Sequence, residues 1–380
     1  MRIKGQYSPD SRMEARNQSL ETNMPRMMSI ASATIAALSL ATSAHAADTL
    51  VAAKVTHPPK AAAGAADPAW AKAKPLAIEL IGGANFKGGA TTAVLKAVYS
   101  GDSIYFLLQY PDPTESVRRA PYQKQADGTW KKLKDPEDKG GDNNVYYEDK
   151  VGILWNIDDS IKGFNQQGCA VACHTGEGKP FGNKYTASAG EIGDLWHLKS
   201  IRTGYIGQLD DGYLDNTRAD EKNPNAGRKT DPKTAGGYTD LKLIDGKPEF
   251  MDKSGLPARE KAPVKVASTA KGTAPAPGTT YYLREENKVA FDDAKFKAGD
   301  EVASISVAPF VGDRGDVSAS IGWNKGKWTM VLARKLTTGS KYDVQFADLK
   351  ATYPFGLAAF DNAQVRHAYN VGALKLAFAP

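Results

Sequence analysis

Residues 165–185 read NQQGCAVACHTGEGKPFGNKY and hold both cysteines of this 380-residue chain, Cys169 and Cys173, with His174 directly after the second. Two thiols beside an imidazole, and no thiol elsewhere, suit a short set of chemistries. The first is covalent haem attachment. Each thiol adds its S–H across a porphyrin vinyl group, and the neighbouring imidazole ligates the iron. The usual spacing is C-x-x-C-H. Here the spacing is C-x-x-x-C-H, and Ala170, Val171 and Ala172 are small enough for the extra residue to bulge. A zinc site needs further ligands, often a second cysteine pair. A thioredoxin-type disulfide expects C-x-x-C opening a helix after a strand, which FNQQGC does not offer. A nucleophilic cysteine needs no twin. A structural Cys169–Cys173 disulfide stays an alternative, although so small a loop adds little stability to a domain of this size.

If haem is bound, the second axial ligand decides its use: two protein ligands favour electron transfer, whereas an open iron binds small molecules or does chemistry. His197, in GDLWHLKS, lies between apolar Trp196 and Leu198 and is the first choice for that ligand. Met251, in PEFMDKSG, is the alternative. His57 lies in a polar N-terminal stretch, and His367 reads as a packing or hydrogen-bonded residue at the start of the last strand. Met330 alternates with Trp328 and Leu332 and reads as core. Lys184, Arg314 and Asp316 are candidates for propionate contacts, which favour Arg and Lys; turn chemistry or a surface ion pair explains them equally well. The RGD within GDRGDVS is too short to signal adhesion.

The compartment agrees with haem c. Residues 29–43, SIASATIAALSLATS, follow Arg26 and precede AHA, the pattern of a cleaved secretory signal. The expected division is a signal over 1–46, with a translation start that is open between Met1, Met24 and Met27, and one periplasmic domain over 47–380. No later run of 18 apolar residues predicts a membrane span. Net charge is +6, and the first 46 residues hold five Lys/Arg against three Asp/Glu, leaving +4 on the remainder. That mild excess, without a basic block interleaved with aromatics, argues against nucleic acid.

The elements that must carry these residues read as strands. TTAVLKAVYS (91–100) and SIYFLLQYP (103–111) flank Gly101-Asp102 and predict a hairpin. KVGILWNID (150–158), EVASISVAPF (301–310), WTMVLARKL (328–336) and RHAYNVGALKLAFAP (366–380) predict further strands. Helical periodicity is scarce. The polar stretches 111–149 and 206–290 predict long loops, the second a loop-rich insertion. Strands before and after the cysteines sharing one core predict a mainly β fold, an antiparallel sandwich with the cysteine segment as a cap.

Together GCAVACHTGEGKPFGNKY, GDLWHLKSIRTG, GDRGDVSASIGW with WTMVLARKL, FDNAQVRHAYNVGALKLAFAP and DPAWAKAKPLAIEL resemble the haem-binding domain family related to ethylbenzene dehydrogenase, over about residues 50–380. The resemblance implies a β-sandwich that holds one haem and passes electrons, often for periplasmic molybdenum enzymes. The best-known members hold non-covalent haem b through Met and Lys. This chain departs from them through its cysteine pair and is similar to a c-type branch, so only Cys169, Cys173 and His174 carry over. His197 gains support as distal ligand, and Lys199 is no more than a candidate for the family's lysine. The expected protein is a monohaem c-type cytochrome that transfers single electrons to or from a redox partner such as a molybdoenzyme or another cytochrome. The alternatives are a haem enzyme or sensor with an open iron site, and a haem-free ligand-binding sandwich with a Cys169–Cys173 disulfide.

Overall fold

The computed structural model describes residues 48–138, 143–173, 184–260 and 277–380. The proposed signal segment, His174 and the side chain of Cys173 lie outside the described residues. Thirteen strands form one continuous hydrogen-bonded system folded into two leaves. In chain order they are β1 (Thr49–Lys54), β2 (Leu76–Ile81), β3 (Ala90–Ser100), β4 (Ser103–Pro111), β5 (Lys150–Asn156), β6 (Gly193–Lys199), β7 (Gly212–Leu214), β8 (Arg228–Thr230), β9 (Ser318–Trp323), β10 (Lys327–Lys335), β11 (Tyr353–Phe360), β12 (Ala368–Tyr369) and β13 (Leu374–Phe378). One leaf runs β8-β7-β6-β5-β11 and the other β2-β3-β4-β10-β9.

Two short pairings stitch the leaves along one edge. At one end β12 joins β11 to β2; at the other, β13 joins β11 to the parallel strand β1, which pairs with β3. The opposite edge is joined around the Gln208–Ser318 bridge, where the Leu209, Ala319 and Asp211 N–H groups donate to the carbonyls of Val317, Gly207 and Arg314 at 3.0, 2.9 and 3.2 Å.

Alternation builds the core. Val151, Ile153 and Trp155 of β5, Trp196 and Leu198 of β6, and Phe355, Leu357 and Ala359 of β11 face Leu95, Phe106, Leu108, Trp328, Met330 and Leu332 of the other leaf. The predicted hairpin is present in the expected register, closed by Gly101 at φ +57°. Trp328, Met330 and Leu332 share the core face, as their spacing predicts. The two α-helices among the described residues are single turns, α1 (Phe164–Gln167) and α2 (Ala170–Cys173), and no helix there is long and apolar enough to cross a membrane.

Three expectations change. The run 301–310 is not one strand: Glu301–Val302 pairs with Tyr122–Gln123, while Ile305–Val311 pairs with Ala235–Asp240. The terminal run 366–380 divides into β12 and β13. The polar stretches are more ordered than their composition predicts. Short strands at Tyr122–Lys124, Trp130–Lys132, Ala235–Asp240, Phe250–Asp252 and Lys288–Ala290 surround a second core of Tyr122, Trp130, Leu241, Met251, Leu283, Phe296 and Val302.

Candidate functional site

The cysteine segment lies against the outer face of the β5–β6–β11 leaf. Phe164 of α1 is fully buried with Leu154, Ile161, Ala172 and Leu214 and anchors the turn. Gly168 ends α1 at φ +64°, and its N–H donates to the Phe164 carbonyl at 2.7 Å. A Cβ there would sit 2.0 Å from the Gly372 carbonyl oxygen, so only glycine lets the two backbones meet. Cys169 follows and is turned inward, 6% exposed. It packs on Gly356 of β11 so closely that a Cβ on that glycine would lie 3.0 Å from the Cys169 sulfur.

Beside Cys169 a pocket encloses about 480 Å³, part of it continuous with solvent. Its floor is the outer face of the leaf, where alternation places Gly152 and Leu154 of β5, Leu195 and His197 of β6, and Gly356 and Ala358 of β11. The small residues form the middle of this floor, and a Cβ added at Gly152 would meet nothing within 4 Å. Leu357, Phe360, His367, Lys184 and Arg228 complete the described lining.

His197 is the polar centre of the floor. Its backbone is fixed by a two-way bridge to Asp210, N to O at 3.0 Å and O to N at 3.2 Å. Its Nε2 is out of contact with water and has no hydrogen-bond partner. Burial, then the positive charges of Lys199 and Lys150, pushes the imidazole pKa well below its ordinary value. The ring is therefore neutral, the form that ligates metal. A buried nitrogen without a partner is costly and marks a place for an electrophile.

Cations crowd one end of the pocket. Lys150 and Lys199 sit opposite each other in the β5–β6 register. Lys150 is 2% exposed, donates to the Gln364 carbonyl at 2.9 Å and lies 4.0 Å from the Phe360 ring centre. Burial and the nearby Arg202 push its pKa well down. Lys199 is lowered to about 8, chiefly by burial, against the opposing pull of Asp210. With Lys184 and Arg228 in the lining, this end favours an anion.

Of the residues singled out in the sequence, Cys169, Lys184 and His197 meet in this one pocket. Arg314 does not line it. Its Nε donates to Asp210 at 2.6 Å, and Asp210 also holds Lys199 and accepts from the Tyr238 hydroxyl at 2.7 Å. Burial would raise the Asp210 carboxyl, but Lys199 and Arg314 hold it well below the usual carboxylate range. Arg314 thus braces the segment that fixes His197. Asp316 faces a carboxylate cluster instead. Met251 is 5% exposed within the second core and lines no part of the pocket, so Met251 is not brought to the candidate haem site. Its flanking Phe250, an apolar neighbour, was the available signal for burial. His367 is in the lining, 4.7 Å from the Phe360 ring. Gly152 and Gly356 carry no chemical signature in sequence, and Arg228, in NAGRKT, is one basic residue among many in a polar stretch.

A family model described as ethylbenzene dehydrogenase matches residues 67–372. No curated protein matches the chain. Among solved structures, a family 9 carbohydrate-binding module from Caldicellulosiruptor kristjanssonii, in complex with glucose and again with cellotriose, aligns at TM-score 0.32 and 8% identity, over 87% of this chain and 95% of the module.

Proposed function

From the premise that the chain belongs to the ethylbenzene dehydrogenase family, we propose that it is a periplasmic monohaem c-type cytochrome that transfers single electrons. The observation that carries this reading is the pocket shared by Cys169 and His197. Its small-residue floor leaves room for a flat macrocycle, its neutral His197 offers a lone pair, and its lysines and arginine suit propionates. The described lining suits haem. Cys169 and Cys173 would hold it through thioether bonds, with His174 and His197 the proposed iron ligands and Lys184 and Arg228 the proposed propionate contacts. Bound there, haem would supply a one-electron couple.

The chain's own contributions follow. The two-way bridge to Asp210 fixes the His197 backbone and so the point from which its imidazole projects. Leu154, Leu195 and Phe360 give the pocket apolar surface against which a macrocycle would pack. Lys184 and Arg228 in the lining would oppose a further positive charge and so favour the reduced state. The partner is a redox protein such as a molybdoenzyme or another cytochrome.

The test is secretion from a host that matures haem c, followed by mass spectrometry and a visible spectrum. A covalent haem adduct and a low-spin spectrum indifferent to carbon monoxide are expected. His197→Ala should remove the low-spin signature, while His367→Ala should leave it. A carbon monoxide response in the unaltered protein would mark an open iron site. A disulfide between the two cysteines with no tetrapyrrole mass would end the proposal.

A further inference from the structure

Away from the pocket, five aspartates converge at the edge opposite β12 and β13. Asp194 belongs to β6, Asp211 precedes β7, Asp231 follows β8, Asp316 precedes β9, and Asp343 lies between β10 and β11. Asp211, Asp231 and Asp343 are 0%, 2% and 1% exposed, and each offers an oxygen within 4.8 Å of the others. The carboxyls of Asp231 and Asp343 abut, and that of Asp316 abuts Asp211 and Asp343.

Protein donors answer only part of this charge. Asp194 Oδ2 accepts from Arg334 at 3.2 Å and from the Val344 N–H at 2.9 Å. Asp211 Oδ1 accepts from the Gly212 N–H at 2.9 Å, and Asp343 Oδ2 from the Thr338 hydroxyl at 2.5 Å. Both oxygens of Asp231, and one each of Asp194, Asp211, Asp316 and Asp343, are buried without any hydrogen-bond partner. Unpaired buried carboxylates are expensive. The buried trio Asp112, Asp149 and Asp361 makes the contrast. There Asp149 accepts from the Ser116 and Asn362 N–H groups at 2.7 and 2.8 Å and from Trp328 Nε1 at 3.2 Å. That trio is largely answered by the protein, and the Asp231 cluster is not.

We propose that Asp211, Asp231 and Asp343, with Asp316 beside them, bind one calcium ion that reinforces the junction of the two leaves at this edge. The ligands are all hard oxygens, with no sulfur or imidazole among them, which selects a hard cation. A cage of carboxylates from separate chain segments suits calcium, which accepts many protein oxygens; magnesium keeps most of its water. Asp211 and Asp231 come from the leaf that carries His197, and Asp316 and Asp343 from segments flanking β9 and β10, so one ion spans both. The proposal is independent of haem.

The full chain, purified and stripped with EGTA while folded, should bind one calcium ion per chain by calorimetry. Its Tm should rise by roughly 5 °C at a hundredfold excess over Kd. Terbium should bind competitively and luminesce on tyrosine excitation, since Tyr213 and Tyr342, which stack at 4.2 Å, lie two residues from Asp211 and directly before Asp343 in sequence. Asp231→Asn should abolish the calcium-dependent Tm shift, and Asp361→Asn should keep it. If either variant does not fold, the wild-type strip-and-restore cycle decides alone. A folded, stripped wild type with no calcium heat and no Tm shift overturns the proposal, as does an unchanged calcium response in Asp231→Asn.

Discussion

The two leaves use their outer faces differently. On the β3–β4–β10 leaf, Val98, Leu107 and Val331 are covered by Trp70 and Ala73. Trp70 sits in the single-turn helix Pro68–Lys72, capped by Asp67, and its indole N–H donates to the Gly64 carbonyl at 3.0 Å. Nothing is left to add there. On the β5–β6–β11 leaf the equivalent surface carries Gly152, Gly356 and Ala358 around His197, and the covering segment brings Cys169 rather than a tryptophan. The same architecture thus makes a sealed face where its own aromatic fills the space and a receptive face where small residues withhold side chains. A sealed face answers to packing energy. A receptive face answers to its ligand.

Four experiments test that distinction. Cys169→Ala should eliminate attachment at that position, leaving at most a single thioether, and denaturing gels stained for haem should show the largest drop. Trp70→Ala should cost about 3–5 kcal/mol in denaturant unfolding, yet leave the haem content per folded molecule unchanged. Loss of haem from that variant would show that the faces are not independent. Gly152→Leu puts a side chain into open space, so the haem-free Tm should move by no more than about 1 °C, while haem content falls severalfold. The smallest effect concerns pH. The folded-state pKa of His197 is depressed, so the haem-free chain binds fewer protons there than the unfolded chain does. Its contribution is fully present above about pH 6.5 and is lost as pH falls below that, at up to about 1.4 kcal/mol per unit. The difference in unfolding free energy between wild type and His197→Gln, followed from pH 7.5 to 5, should show this slope; a flat difference would count against a neutral buried imidazole.

The strands were legible where alternation and turn chemistry coincide. Gly101-Asp102 closes β3 and β4, and Trp328, Met330 and Leu332 keep step along β10. The run 301–310 misled because alternation survives a change of partner sheet: Val302 enters the second core and Ile305 the neighbouring sheet without a break in pattern. The second core was illegible for a different reason. Tyr122, Trp130, Leu241, Met251 and Phe296 arrive singly from distant polar stretches, so no local window shows a periodicity. Site chemistry was visible in Cys169, Lys184 and His197 because those side chains are reactive or charged. The floor was not, because its contribution is missing volume. The aspartate cluster assembles residues from 194 to 343, a separation that no spacing rule connects.

The junction of Gly168 with Gly372 ties the cysteine turn to nearly the last loop of the chain. β13, immediately beyond, pairs with β1, the first strand. A chain synthesised amino end first therefore cannot complete this junction until residue 372 is present, and until then the turn lacks its final neighbours. If Cys169 takes haem as proposed, that interval is when an attachment enzyme would meet an accessible sulfur, and the order of folding would time maturation.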